Sequence, residues 1–350
     1  GRKPSVGRNQ FILDLTRKEV RDYIFEALSE VFNLGMVDYV KWDMNRTFTD
    51  MYSTLFTSMT EFNYRYVSGL YELLGRLTSA FPKILFEGCS SGGNRYDLGM
   101  LCYMPQIWTS DNTDAYCRTL IQGGTSYGYP LSAMGAHVSE SPNHQTLRRS
   151  DIESRFNVAA FGAFGYELDL TALNAQQKAT VKAQIEFYKK HRALLQYGRF
   201  IRLEENSNAD SSVIAHSSGK TRWAVVNDDL SEMLVLDFQT LNEPNPGQDT
   251  LRIPFARPDF DYEVSPRLQR ISLDVFGSLI NMLAPVNLSG ESRLKQMLLD
   301  NYTLKSEDEH YIISGDVLAY GGLHLDPQFG GTGYNNKVRI LGDFGSRLYY

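Results

Sequence analysis

Asp38-Tyr39-Val40-Lys41-Trp42-Asp43-Met44-Asn45-Arg46 is the stretch that decides how the chain is read. Its aromatic and β-branched run, closed by polar residues, has the composition of a short strand rather than a helix. Successive side chains on a strand point to opposite faces, so Tyr39, Lys41 and Asp43 share one face and Val40 and Trp42 take the other. A lysine and an aspartate then stand together at the strand's C-terminal end. In a (β/α) barrel that end is where active sites are built. The plain alternative is a structural Lys–Asp pair capping the strand, and position alone does not separate the two.

The same rhythm extends in both directions over the first two hundred residues. Candidate strands are Phe11–Leu13, Asp38–Trp42, Lys83–Glu87, Gln106–Thr109, Leu131–Ala133 and Phe161–Glu167. Helical patterns lie between them. Thr16-Arg-Lys-Glu19 reads as a capping box opening a helix to about Phe32, and Met59–Ala80 and Ala175–Leu195 carry apolar residues at three- and four-residue spacing. Strand and helix in alternation imply a parallel sheet in an α/β fold. An eight-stranded (β/α)8 TIM barrel needs two strands more than these six, and the chain opens almost on a strand. The expectation is therefore a barrel whose first strands belong to residues before Gly1.

From about Arg199 the helical period fades. Ser212–His216, Thr221–Val226, Met233–Phe238, Thr250–Ile253, Tyr311–Ser314 and Val338–Leu341 are short apolar runs separated by Gly, Pro, Asn and Asp. That pattern predicts an antiparallel β-sandwich. The organisation expected is thus a partial catalytic barrel over 1–198 and a C-terminal β-sandwich domain over 199–350.

Bulk properties narrow the function classes. Of 350 residues, 42% are hydrophobic and 22% charged, ordinary values for a globular protein. The net charge of −6, without a Lys/Arg run, gives no footprint for nucleic acid. No run of about 18 apolar residues predicts a membrane span, and Gly1-Arg-Lys-Pro-Ser5 does not read as a signal peptide. Three cysteines (Cys89, Cys102, Cys117) are odd in number and fit a reducing, cytoplasmic setting, with Cys102 and Cys117 read as core thiols. The 21 Tyr, 19 Phe and 3 Trp could stack on sugars but fit a large apolar core as well.

A second carboxylate follows the same strand logic. In Ile107-Trp-Thr-Ser-Asp111-Asn-Thr-Asp114, Ile107, Thr109 and Asp111 share a face, which sets Asp111 at a strand tip. Asp114 reads as a helix N-cap. A metal site at Asp111 and Asp114 lacks a supporting His or carboxylate. Paired carboxylates on opposing strand ends are the equipment of a glycosidase, which sets them about 5–5.5 Å apart when it retains configuration. Cys89-Ser-Ser-Gly-Gly93 closes another strand with small residues that admit a ligand close to backbone amides, although a simple turn has the same composition. Glu87 faces inward by parity and reads as the partner of a lysine; His137 and His144 read as structural.

Asp38–Arg46, together with Gly88-Cys-Ser-Ser-Gly-Gly-Asn-Arg95 and Trp108-Thr-Ser-Asp-Asn-Thr-Asp-Ala115, resembles the microbial α-galactosidases of glycoside hydrolase family 36. Val6–Gln10 and Gly342–Tyr349 extend the likeness to both ends. The resemblance implies a retaining enzyme that removes terminal α-1,6-linked galactose from melibiose- and raffinose-type sugars. Its nucleophile falls on Asp43 and its acid/base on Asp111. Its galactose contacts fall on Arg8, Lys41, Asn45, Cys89, Gly92 and Trp108. It implies no metal or organic cofactor, a galactose-containing oligosaccharide as partner, and often a homotetramer. It also implies an N-terminal β-sandwich, two further barrel strands and part of the sugar pocket that these residues do not contain, so the isolated chain is expected to be barely active. An α-N-acetylgalactosaminidase or a galactosyl-transferring synthase on the same barrel is the rival within the class, and a non-catalytic galactoside-binding protein the rival outside it.

Overall fold

The computed structural model of the chain describes residues 5–46, 48–49, 51–204, 219–242, 249–283, 293–306, 308–326 and 341–350. They form two compact units, Gly1–Asp111 with Ser132–Gly135, and Asn112–Leu131 with Ala136–Tyr350.

The first unit is an α/β layer. Helix α1 (Lys18–Phe32) leads to strand β1 (Tyr39–Asp43), helix α2 (Phe62–Ala80), strand β2 (Leu85–Cys89), the short helix α3 (Leu98–Leu101) and strand β3 (Gln106–Trp108). β1 pairs in parallel with β2, β2 with β3, and β3 with the first residues of β4 (Met134–Ser139). One face of this sheet is apolar. Val40, Trp42, Phe86 and Ile107 join Leu70, Leu73, Leu74 and Leu77 of α2 in one core, with Val20, Ile24 and Leu28 of α1 against it. Spacings of three and four put Phe62, Tyr66, Leu70, Leu73, Leu74 and Leu77 on one side of α2. Phe86 and Ile107 are each 1% exposed, and burying such side chains stabilises by about 1.5–3 kcal/mol apiece. That anchoring leaves the opposite face of β1–β3 to the polar residues.

The second unit carries α4 (Ala115–Thr125), the rest of β4, α5 (Ile152–Ala159), β5 (Ala163–Glu167) beside β4, and α6 (Ala175–Tyr197). α6 opens with a capping box in which Asn174 and Gln177 bond each other's backbone N–H. Strands β6 (Arg199–Glu204), β7 (Lys220–Val226) and β8 (Met233–Gln239) form an antiparallel sheet with Ser346–Tyr349. Three two-stranded antiparallel ladders accompany it.

Several expectations need correction. Phe11–Leu13 is not a strand, and Leu131–Ala133 is a 3-10 turn that precedes β4. The box at Thr16–Glu19 does not form: α1 starts at Lys18, Arg17 occupies the cap, and the Thr16 hydroxyl donates to Asp14 instead. Asp14 offers a nearer acceptor than the helix's own carboxylate, so local bonding wins over the motif. Thr250–Ile253 is strand only at Thr250–Leu251. Cys102 is exposed and Cys117 half-buried, so neither is a core thiol. Ser212–His216 and residues 338–340 lie outside the described residues.

Candidate active site

The polar face of β1–β3 gathers its residues by register. Lys41 stands beside Glu87, Asp43 beside Cys89, and Glu87 beside Gln106. Side-chain alternation adds Trp108, which pairs with Gly135 on the next strand. A Cβ at Gly135 would stand 2.9 Å from the Trp108 ring, so only glycine leaves room for that indole.

Asp43 is exposed at the end of β1. Burial of its carboxylate would push the pKa up, but bonds from the Cys89 thiol, the Asn45 amide and the backbone N–H groups of Met44 and Ser91 outweigh it. The carboxyl is held below its ordinary value. Asn45 Nδ2 donates to Asp43 Oδ2, and Ser91 Oγ donates to Asn45 Oδ1 at 3.0 Å, which fixes the amide's orientation. Cys89 is pushed the other way, to about 11, by burial and by donating to Asp43, with the Gly92 backbone bond and Lys41 opposing. Its thiol is therefore a neutral donor at neutral pH.

The loop after β2 is tied to both neighbouring strand ends. Met44 N–H donates to the Cys89 carbonyl at 3.1 Å and Ser90 Oγ to the Met44 carbonyl at 3.0 Å. Gly92 has φ +85, and a Cβ there would lie 3.0 Å from Ser110 Cα and 3.4 Å from the Asp111 nitrogen. A side chain at Gly92 would be strained and would push Asp111's backbone away.

Lys41 extends its Nζ to 4.6 Å from the centre of the Trp108 ring and 3.9 Å from Glu87 Oε1. Glu87 is 2% exposed and accepts from Tyr39 Oη and, at 3.4 Å, from Gln106 Nε2. Burial, then Glu87, raises the Tyr39 phenol, so it stays a donor. The Lys41 ammonium is thus held between a buried carboxylate and an indole face. Glu87 is the lysine partner that parity suggested.

Asp111 does not reach its place by strand parity. β3 ends at Trp108, Ile107 belongs to the apolar core, and Asp111 sits in the loop beyond. What holds it is Trp108 Nε1, which donates to Asp111 Oδ1 at 3.0 Å. Asp114 caps α4 as expected, accepting from Cys117 N–H at 3.0 Å, and it also pairs with Arg148. His137 Nδ1 faces Glu167 Oε2 at 3.4 Å. Arg8 is exposed, with φ 51, in the Gly7–Gln10 turn. Arg46 ties that region to the loop after Asp43, donating to the Ser5 carbonyl and the Thr49 hydroxyl, each at 2.8 Å. Lys41, Asp43, Asn45, Cys89, Gly92, Trp108 and Asp111 thus form one connected set, whereas Arg8 lies in a turn that packs against Arg46 and makes no described bond to the set. Sequence reasoning placed Tyr39 on this face without giving it a role, and missed Gln106 and Arg95; parity with Trp108 would have found Gln106. No cluster of metal-ligating side chains occurs among the described residues.

Residues 1–198 match the Melibiase family model, and residues 220–350 match the glycosyl hydrolase family 36 C-terminal domain. The chain belongs to glycoside hydrolase family 36. Among relatives in that family, alpha-galactosidase 1 of Pediococcus pentosaceus is 46% identical over 265 residues, 75% of this chain and 35% of its own length. Alpha-galactosidase AgaA of Geobacillus stearothermophilus is 45% identical over 289 residues, 82% of this chain and 38% of its own. The crystal structure of the Lactobacillus brevis α-galactosidase superposes with a TM-score of 0.76 at 36% identity, covering 99% of this chain and 40% of that one. A substituted AgaA in complex with raffinose gives 0.76 at 38% identity, with the same coverage. The chain therefore spans about 35–40% of the length of these family 36 relatives. No helix among the described residues is long and apolar enough to cross a membrane.

Proposed function

We propose that the natural protein carrying this chain is a retaining α-galactosidase that hydrolyses terminal α-1,6-linked galactose from melibiose- and raffinose-type oligosaccharides. The observation that carries the reading is Asp43 at a strand end, kept ionised by Cys89 and Asn45, on the same strand face as Lys41, whose ammonium lies over the Trp108 ring that holds Asp111. Relatives named as α-galactosidases, and AgaA structures holding raffinose and stachyose, support the substrate class.

In this reading Asp43 attacks the anomeric carbon while the glycosidic bond breaks, and Asp111 gives its proton to the departing oxygen. Asp111 then takes a proton from water, whose oxygen displaces Asp43 and restores the starting configuration. Arg8, Lys41, Asn45, Cys89, Gly92 and Trp108 contact the galactose. The uncharged Cys89 thiol suits a sugar hydroxyl, since it can donate and accept without adding charge beside Asp43. The finer architecture belongs to the same proposal: a (β/α)8 barrel whose first two strands precede this chain, followed from residue 199 by a β-sandwich. The two family matches, ending at 198 and starting at 220, support that division.

The test is Asp43→Gly in the natural protein. Turnover of p-nitrophenyl α-galactoside should vanish and return with azide, giving β-galactosyl azide by NMR. Undiminished turnover would overturn the assignment.

A further inference from the structure

Arg95 follows the Cys89–Gly93 loop and has no part in the chemistry above. Its Nη2 donates to the Cys89 carbonyl at 2.9 Å and approaches the Trp42 carbonyl at 3.5 Å. Trp42 immediately precedes Asp43, and Cys89 is Asp43's register partner. One guanidinium nitrogen thus spans the C-terminal ends of β1 and β2 directly behind the carboxylate. Met44 N–H donates to the same Cys89 carbonyl at 3.1 Å, so the guanidinium adds to the β1–β2 pairing at the point where the ladder ends. Arg95 Nε is buried without a hydrogen-bond partner, so the side chain is held here at a desolvation cost. A half-buried cation hydrogen-bonded to the carbonyl groups on either side of a carboxylate has the geometry of a positioning role.

Resting on the proposed reaction, we infer that Arg95 is a positioning residue that clasps the ends of β1 and β2 and sets the angle and charge environment of Asp43. Two effects follow. The clasp fixes the backbone on either side of the carboxylate, and a misplacement of about 1 Å at a reacting group can cost on the order of a hundredfold in rate. The positive charge also favours the ionised form of Asp43. Burial lowers Arg95's own pKa, against Tyr66, Asp43, Cys89 and Asp97, and a guanidinium remains charged despite such a shift. The charged or titratable groups around Asp43 are Lys41 on its own strand, Cys89 on β2, and Arg95 in the loop beyond; Tyr66 of α2 and Asp97 face Arg95 from behind.

The experiment compares Arg95→Lys and Arg95→Met in the natural protein. Arg95→Lys keeps the charge but loses the reach to two carbonyls, so kcat should fall tenfold or more while KM changes less than threefold and the acidic limb of the pH–rate profile stays. Arg95→Met should lower kcat about a hundredfold and move that limb to higher pH. The Asp43 carboxyl is also titrated by carbon-13 NMR in both variants, with folding checked by circular dichroism. The Met variant should titrate higher than the Lys variant. That readout needs no turnover, so it judges Arg95 even if the proposed reaction is wrong, while Asp43→Gly judges the reaction alone. A folded Met variant with the parental kcat and an unmoved Asp43 titration would overturn the inference.

Discussion

Asp43 at the end of β1 and Asp237 in the middle of β8 are both strand aspartates held below the ordinary carboxylate pKa, and they reach that state by opposite means. Burial pushes each one up. At Asp237 full charges reverse this: Arg222 Nε lies at 2.8 Å and Lys220 Nζ at 3.6 Å, with the half-buried Asp249 completing the cluster. At Asp43 the reversal comes from neutral donors, the Cys89 thiol, the Asn45 amide and two backbone N–H groups. A salt bridge locks its carboxylate in place and occupies its lone pairs. Neutral donors keep the charge without an ion pair on the carboxylate. On the proposed function, the difference separates a carboxylate built for structure from one built to react.

The sharpest way to break that contrast is to remove each charge in turn. Asp43→Asn should lower turnover of the natural protein at least about a thousandfold. As an exposed position it should change unfolding free energy by no more than about 0.5 kcal/mol. Asp237→Ala should do the reverse, costing about 1–3 kcal/mol because the largely buried Arg222 and Lys220 lose a carboxylate partner and keep Asp249, with turnover of the folded fraction unchanged. Urea unfolding and steady-state assays on both variants decide it. If Asp43→Asn unfolds the protein as Asp237→Ala does, the contrast is wrong.

Asp111→Ala sharpens the reading of the second carboxylate. Turnover of raffinose, whose leaving group needs a proton, should fall about a hundredfold or more, while p-nitrophenyl α-galactoside suffers far less. Equal losses on both substrates would remove the acid role.

Titration gives a smaller effect. Because the folded pKa of Asp43 is depressed, its contribution to stability is present above the unfolded carboxylate value of about 3.9 and is lost as pH falls through the lower folded value. The acidic limb of kcat/KM should therefore lie below the ordinary carboxylate range, and Asp43→Asn should remove that part of the acid dependence of stability. Cys89, raised to about 11, should resist iodoacetamide at neutral pH and react only as pH approaches that value, read by peptide mass mapping with exposed Cys102 as internal control. Ready alkylation of Cys89 at pH 8 would contradict the neutral-donor role.

Much of this was legible because the period of two on β1 and β2 is strict: Lys41, Asp43 and Glu87 take the predicted face, and Cys89, read as the start of a loop, ends β2 on the same face. Asp111 does not owe its place to strand parity. β3 stops after three residues, so its position comes from the Trp108 indole and from the close approach allowed by Gly92. Neither contact has a periodic signal. The same limit explains Thr16, whose hydroxyl finds Asp14 rather than the helix start, and Arg95, whose role lies in main-chain carbonyls that no motif displays. The resemblance to family 36 supplied the roles of residues that spacing could only place.

The central claim is that Asp43 forms the covalent bond to the sugar. A galactose-configured cyclophellitol-type electrophile, incubated with the natural protein and followed by peptide mass mapping, tests it most directly. The account predicts a single stoichiometric adduct on Asp43, absent in Asp43→Asn. An adduct on Asp111, Glu87 or any other carboxylate, with Asp43 unmodified, would contradict it.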